Sequence, residues 1–151
     1  MNTGQMLMVI GALALLSLVS LTINTMMVGK TTTMLEAEAS LNAISIAQTM
    51  IDEIMTKSYD ASTVSVKVYN ASGFTAWNSL GCNSSEASNV LIPDVPPYKS
   101  IKYYNDVDDY HRYRRIVSTP RMGNFTVTDT VYYVSETNPD LKVSANTFHK
   151  K

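Results

Sequence analysis

The sequence predicts an α+β fold, in which a long N-terminal α-helix packs on a small antiparallel β-sheet head. Residues 1–29 contain no Lys, Arg, Asp, Glu or His, and the residues from there to about 58 keep a helical spacing of apolar side chains. The remainder alternates in short β-like runs. We therefore expect an apolar half-helix at 1–29, an amphipathic half-helix at 30–58 and a β head at 59–151.

The apolar run is long enough to cross a membrane. Its core, residues 6–28, spans a hydrocarbon layer of about 30 Å at about 1.5 Å per residue. A secretory signal peptide would need a basic segment before the apolar run, and none precedes this one. Gly11, Ser17 and Ser20 are small residues that let helices approach closely, so we expect packing against other helices. A plain single-span anchor is the alternative.

The second half of the helix carries a stripe of apolar residues. This stripe predicts a face buried against the head, with Ile44, Ile51 and Ile54 packed on strands that contain Val64, Val66, Val127 and Val143. Gly29 and the three threonines after Lys30 are weak helix formers. They mark the expected position of a bend, and an unbroken helix is the alternative.

Period-two patterns predict the strands of the head. The first is Val64–Val68, and Ile101–Tyr104 and Tyr113–Ser118 are shorter candidates. Residues 125–134 and 141–148 are expected to form a hairpin around the turn Asn138-Pro139-Asp140, with Tyr133 and Leu141 among the inward side chains. Residues 70–97 are expected to form a long loop folded around a small apolar plug of Phe74, Trp77 and Leu80.

Composition argues against several classes of protein. A net charge of −1 with 17% charged residues disfavours a nucleic-acid binder that works through a strong overall field. Cys82 is the single cysteine, so an intramolecular disulfide is impossible, and we expect it to be partly buried. We find no nucleophile motif, paired-His motif or phosphate loop, and therefore expect neither an enzyme nor a cofactor.

The polar clusters of the head have competing interpretations. Asp106, Asp108, Asp109 and His111 could together hold a calcium ion, but no Gly or bidentate Glu follows at EF-hand spacing, so a solvated acidic loop without metal is favoured. The nearby arginines could form a phosphate-binding or stacking surface, but charge pairing with aspartates of the loop or across a subunit contact is favoured; they are Arg112, Arg114, Arg115 and Arg121. One tyrosine of each pair, Tyr103-Tyr104 and Tyr132-Tyr133, should pack inward. Asn-x-Ser/Thr sequences offer glycosylation acceptors at Asn70, Asn83 and Asn124.

This layout resembles the type IV pilin and pseudopilin family. Mature chains of that family open with an apolar helix that carries a carboxylate at the fifth residue, and this chain begins Met1-Asn2-Thr3-Gly4-Gln5. Gln5 has the shape of the glutamate and offers an amide, but it cannot form a charge pair. The loop Asn105–His111 is also similar to an acidic loop of some pseudopilin-like proteins. Residue 1 is either a processed end or the initiator.

The resemblance implies the structural subunit of an extracellular, pilus-like filament that polymerises through bundled N-terminal helices. Gln5, Val9, Leu15 and Gly29 are its expected assembly residues. Its partners would be other copies of the chain, an assembly machinery, and the inner membrane that holds the helix before assembly, with the finished filament at the cell surface. The alternatives are a minor pseudopilin of a secretion-type machine and a single-span membrane protein with an outer adhesin or binding domain.

Overall fold

The structure, a computed structural model, describes residues 2–151, and its longest element is the helix α1, Thr3–Met55. The helix continues without a break through Gly29 and the threonines that follow. The hydroxyls of Thr31, Thr32 and Thr33 each donate a hydrogen bond of 2.9–3.0 Å to a carbonyl one turn back. These bonds satisfy the hydroxyls within the helix.

The chain divides into two compact units, one ending at Asn42 and the other comprising Ala43–Lys151. The first unit contains the apolar part of α1. The second unit, which we call the head, contains the last 13 residues of α1, Ala43–Met55, and everything that follows.

The head is built mainly from short elements joined by loops. Two short α-helices, α2 at Ser84–Ala87 and α3 at Ser100–Tyr103, precede the antiparallel strands β1 at Arg114–Thr119 and β2 at Gly123–Thr128. Short 3-10 helices lie at Ala61–Thr63, Ala71–Gly73 and Asp108–Tyr110. Together with α1, the two-stranded sheet confirms an α+β layout.

The hairpin of β1 and β2 follows from its local sequence. Arg115 pairs with Val127 and Thr119 pairs with Gly123. Gly123 has φ +75°, a conformation that glycine adopts without steric cost. The Thr119 hydroxyl donates to the Gly123 carbonyl at 2.9 Å and closes the turn. The prediction of a strand over Tyr113–Ser118 is therefore confirmed to within one residue at each end.

Three predicted strands are wrong. Val64–Val68 lies in a 3-10 helix end and turns, with Val64 and Val66 exposed, so these two valines do not cover α1. Residues 101–104 lie largely in α3 rather than in a strand. The predicted strand 125–134 is confirmed only at 125–128, which lie in β2 and pair with β1. Its expected partner 141–148 forms no strand, and only isolated bridges remain, Val134 with Lys142 and Tyr133 with Lys150. Backbone hydrogen bonds hold α3 and the isolated bridges, for example from the Tyr104 N–H to the Ser100 carbonyl and from the Val143 N–H to the Tyr133 carbonyl, both at 3.0 Å.

The face of α1 predicted to be buried is also wrong. Met50 is 2% exposed and packs in the head core, whereas Ile44 and Ile51 are 65% and 52% exposed. Ile54 is partly buried against the core, as predicted. The apolar side chains of this segment occupy two faces of the helix, and spacing alone cannot tell which one meets the head.

Tyrosine rings fill the centre of the head. Tyr104, Tyr110 and Tyr113 lie edge to face with centroid distances of 5.1–5.5 Å, an arrangement that aromatic quadrupoles favour. Met50, Val90 and Val131 complete this core. In each adjacent tyrosine pair one ring is buried, Tyr104 and Tyr133, and its neighbour is only half-buried, which confirms the expectation for the pairs.

A second aromatic group contains part of the predicted plug. Phe74 is buried between Tyr59 and Phe148, with centroid distances of 5.1 and 5.4 Å. Trp77 is exposed and Leu80 is half-buried, so the plug consists of Phe74 with aromatic partners from elsewhere in the head. Val143 is half-buried and Leu141 is exposed, which contradicts the inward placement of Leu141.

Candidate assembly surface and head network

The first part of α1 presents apolar side chains to its surroundings on every side. It is the one helix in the described residues with the length and composition to cross a membrane. Val9 and Leu15, two of the expected assembly residues, are 50% and 66% exposed. A Cβ added at Gly29 would meet no atom within 4 Å, so Gly29 is not required by contacts within the described chain.

Several polar side chains of this segment are satisfied locally. Ser17, Thr22 and Thr25 donate hydroxyl hydrogen bonds of 2.8–2.9 Å to carbonyls of the preceding turn. The Gln5 side-chain oxygen accepts a bond of 3.4 Å from the Asn2 backbone N–H, at the start of the same helix. A helix whose hydroxyls are already bonded loses little when it moves into an apolar environment.

An ion pair connects the end of α1 to β1. Arg115 Nη2 lies 2.8 and 2.7 Å from the two carboxylate oxygens of Glu53, with only 4% and 10% of the two side chains exposed. Tyr110 Oη donates to Glu53 at 2.8 Å, and Arg115 Nε donates to Tyr113 Oη at 3.0 Å. Ser100 Oγ donates to the carboxylate and accepts from the guanidinium, at 3.2 and 2.8 Å. The pair is therefore enclosed in a hydrogen-bonded network.

This pair refines the expectation for the arginines. Ion pairing is found at Arg115, but its partner is Glu53 on α1 rather than an aspartate of the neighbouring loop. Arg112 and Arg114 are exposed. The sequence offered no indication of the Glu53–Arg115 pairing, because the two residues are 62 positions apart.

Lys150 holds a second buried network. Its ammonium lies 2.7 Å from Asp60 and also pairs with Asp108, and only 3% of the Lys150 side chain is exposed. The rings of Tyr59 and Tyr133 flank the ammonium, with centroids at 4.5 and 4.9 Å. Burial opposes ionisation of Asp60, but hydrogen bonds from Lys150 and Ser62 outweigh it and hold the pKa of that carboxyl below its usual range. No spacing rule in the sequence identified Lys150 or Asp60.

The acidic loop is not solvated, contrary to the interpretation we favoured. Asp106, Asp108 and Asp109 are all buried. Asp106 Oδ1 accepts from the Asp108 N–H at 2.8 Å, and Asp109 Oδ2 accepts from the backbone of Asn105 at 2.9 Å and of Asp106 at 3.2 Å. The side chains of Asp106 and Asp109 thus cap backbone N–H groups at the start of the 3-10 helix and in the residues just before it.

Burial changes the acidity of this loop. Burial, reinforced by the neighbouring carboxylates, raises the pKa of Asp106 to about 7. It also raises the pKa of Asp109 to about 6, and that of Asp108 to about 6 despite the opposing effect of Lys150. Among the described residues, no group of three or more His, Cys, Asp or Glu side chains is placed to share a metal ion.

Comparison with protein-family models, with curated proteins and with solved structures finds no match to this chain.

The surface of the head carries a groove of about 370 Å³. Trp77, His111, Arg112, Tyr132 and Lys142 contribute polar and aromatic groups to its wall. Lys142 Nζ lies 5.1 Å from the Tyr132 ring centroid. Arg112 has φ +63°, a backbone conformation that is uncommon for residues other than glycine and that often occurs at functional sites. Cations and flat rings in one groove suit a ligand with an acidic group and an apolar face.

The remaining predicted residues lie as follows. Asn70, Asn83 and Asn124 are exposed and so accessible to modification, and glycosylation itself stays a prediction. Cys82 is half-buried, as predicted, and burial raises the pKa of its thiol, which argues against a reactive thiolate.

Proposed function

We propose that this chain is the structural subunit of an extracellular, type IV pilus-like filament that polymerises through bundled N-terminal helices. The observation that supports this proposal most strongly is the first part of α1, a charge-free helical surface that is exposed along its whole length. Leaving each large apolar side chain in water costs about 1.5–3 kcal/mol, so this surface requires lipid or other helices.

The subunit would pass between two apolar environments. Before assembly the helix lies in the inner membrane with the head on the outer side, and an assembly machinery then transfers it into the bundle at the cell surface. Transfer from lipid to a helix bundle changes the apolar environment little, whereas exposure to water is costly, so the finished filament does not release subunits. The Glu53–Arg115 network supports this role because it fixes the head to the end of the same helix.

Shearing of surface material tests the proposal. Cells expressing the chain are sheared, the supernatant is centrifuged without detergent, and the pellet is examined by negative-stain microscopy and mass spectrometry. The proposal expects filaments in which this chain is the dominant protein. A chain present only in trace amounts would favour the minor pseudopilin, and a chain that leaves the membrane only with detergent would favour a single-span anchor.

The groove favours a second candidate, a membrane-anchored adhesin or binding domain. Its cations and exposed Trp77 suit an acidic saccharide, in which the ring stacks on the indole and the carboxylate meets Arg112 or Lys142. Glycan binding by the full chain that is lost in Trp77→Ala, together with an absence of filaments, would favour this candidate over the filament subunit.

A further inference from the structure

The two outer edges of the β1–β2 sheet differ. The outer edge of β1 is occupied, because the Asp94 N–H donates to the Arg114 carbonyl at 2.8 Å and the Ile116 N–H donates to the Asp94 carbonyl at 2.9 Å. The Tyr98 hydroxyl also donates to the Ile116 carbonyl at 3.1 Å. Within residues 2–151, no backbone segment bonds the outer edge of β2 in this way.

The ladder of the hairpin determines which backbone groups of β2 point outward. The Asp129 N–H donates to the Tyr113 carbonyl at 3.0 Å, so this pair is hydrogen-bonded, and every second pair along the ladder is hydrogen-bonded as well. The pairs in between direct their N–H and C=O groups away from the ladder. On β2 these outward groups belong to Asn124, Thr126 and Thr128. All three residues are exposed.

The outer edge of β2 lacks the features that usually protect such edges. Exposed edges in natural proteins carry a charged side chain, a proline or a bulge, each of which hinders pairing with another chain. Gly123–Thr128 contains no charged residue and no proline, and its register with β1 is uninterrupted. An edge of this kind binds an extended strand through main-chain hydrogen bonds.

The composition of β2 identifies a second copy of the same strand as the partner. From residue 122 to 130 the only charged residue is Asp129, so two copies in antiparallel contact place no like charges opposite each other. When the contact is centred on Thr126, Asp129 falls opposite Gly123 of the second copy, which has no side chain. Thr126 then faces Thr126 of the second copy, and Thr–Thr pairs across strands are favourable.

The outward backbone groups also restrict the register of this contact. Residues whose groups point outward must face one another, and each such pair then exchanges both of its N–H···O bonds. Centring on Thr126 uses every outward group of β2, since Asn124 of each copy pairs with Thr128 of the other. Phe125 then lies directly opposite Val127 of the second copy, an aromatic and β-branched pair of half-buried side chains.

We propose that β2 pairs antiparallel with β2 of a second copy, centred on Thr126, so that the two hairpins form one continuous sheet. The contact involves the head alone and goes beyond the proposed filament. Paired strands about 17 Å long bury less surface than a stable interface requires, so two single heads bind weakly. Antiparallel pairing reverses the direction of the head, so it joins copies in different filaments, where many weak contacts reinforce one another. Only this last consequence rests on the proposed filament.

Disulfide trapping in the purified, detergent-solubilised full-length chain tests the register. In a Cys82→Ala background, Thr126→Cys places two cysteines in one hydrogen-bonded pair, with Cα atoms about 5.5 Å apart and within disulfide range. We expect covalent dimers from this variant under mild oxidation. Asn124→Cys and Thr128→Cys should each stay monomeric, because the two equivalent cysteines lie about 13 Å apart along the strands. The double variant with both of these cysteines should dimerise.

Two controls separate edge pairing from random collision. Ser118 is exposed on β1 and pairs with Asn124 within the hairpin, so Ser118→Cys should give no dimer. In the double-cysteine variant, Thr126→Lys should abolish the dimer, because two ammonium groups then face each other. Mixing that protein with the corresponding Thr126→Asp protein should restore the dimer. Near-ultraviolet circular dichroism of the tyrosines checks that each variant is folded.

Three results would overturn the proposal. They are equal dimer yields from Thr126→Cys and Ser118→Cys, a folded Thr126→Cys variant that stays monomeric, and a glycan on Asn124 of every copy, which would occupy the edge. Filaments are scored separately in sheared material. Dimers without filaments would support the edge contact and overturn only the filament, whereas filaments from a chain that gives no dimer would overturn only the edge contact.

Discussion

The Glu53–Arg115 pair provides the sharpest test of how the head holds the helix. Glu53→Ala removes the carboxylate that accepts from the Arg115 guanidinium and from Tyr110. Arg115 remains buried, with Tyr113 and Ser100 as its hydrogen-bonding partners and the Tyr98 ring 4.1 Å from its guanidinium carbon. Removing one partner of a buried pair costs about 3–5 kcal/mol. We expect a loss at the lower end of that range, because these neighbours partly stabilise the cation.

The double variant Glu53→Leu with Arg115→Met separates pairing from packing. If the cost of each single variant arises from an orphaned charge, the double variant should lose less stability than the two single variants together, by at least about 1 kcal/mol. The exposed pair Lys151–Asp140 is the control, and Lys151→Ala should leave the melting temperature unchanged.

Thermal unfolding of the detergent-solubilised full chain, followed by the near-ultraviolet circular dichroism of the tyrosines, measures these effects. Tyr104, Tyr110 and Tyr113 surround the pair's network and report on its packing. A loss below about 1 kcal/mol for Glu53→Ala, or strictly additive effects in the double variant, would show that the pair does not stabilise the head.

Four further outcomes are expected. Val9→Asp places a charge in the bundle at a cost of several kcal/mol and should abolish filaments in micrographs, so a normal yield would count against the bundle. In thermal unfolding of detergent-solubilised subunits, Met50→Ala should cost about 2–5 kcal/mol and Ile51→Ala should cost less than about 1 kcal/mol. Equal losses would contradict the assignment of Met50 to the buried face. Folding raises the pKa of Asp106 to about 7, so the contribution of Asp106 to stability grows as the pH falls from 8 to 5. The melting temperature should therefore rise over this range, and it should rise less in Asp106→Asn. A steady fall of the melting temperature would contradict this. Gly29→Ala should raise filament persistence length without blocking assembly, and an unchanged value would remove any hinge role.

The long helix was predictable because its signals are local. An absence of charge over residues 1–29 and a helical spacing after it require no knowledge of the rest of the chain. The strand Arg114–Thr119 was found for the same reason, since its alternation is contained in six residues. The half-buried state of Cys82 and the inward placement of one tyrosine of each adjacent pair also follow from residue type.

The head was poorly predictable because distant side chains determine it. Asp60 bonds the backbone of Thr75 and the ammonium of Lys150, positions 15 and 90 residues away. The valines near residue 66 alternate like a strand but find no partner strand in the described residues, so they remain in turns. The acidic loop looked solvated from its composition, and only the three-dimensional arrangement shows its carboxylates buried as caps.

The two apolar faces of α1 explain the remaining error. The spacing rule identified Ile44 and Ile51 as residues that need cover, but the head covers Met50 instead. A helix that is apolar on two sides is typical of one that packs on two partners. Ile44 and Ile51 therefore stay exposed in the described residues although their spacing is that of a buried stripe.

Helical reconstruction of the sheared filament from electron micrographs locates the helix of every copy. We expect a core of parallel helices in which residues 3–28 of every copy surround the axis and the heads, residues 43–151, form the outer layer. A filament with another protein in its core, or one in which residues 3–28 face solvent, would contradict it.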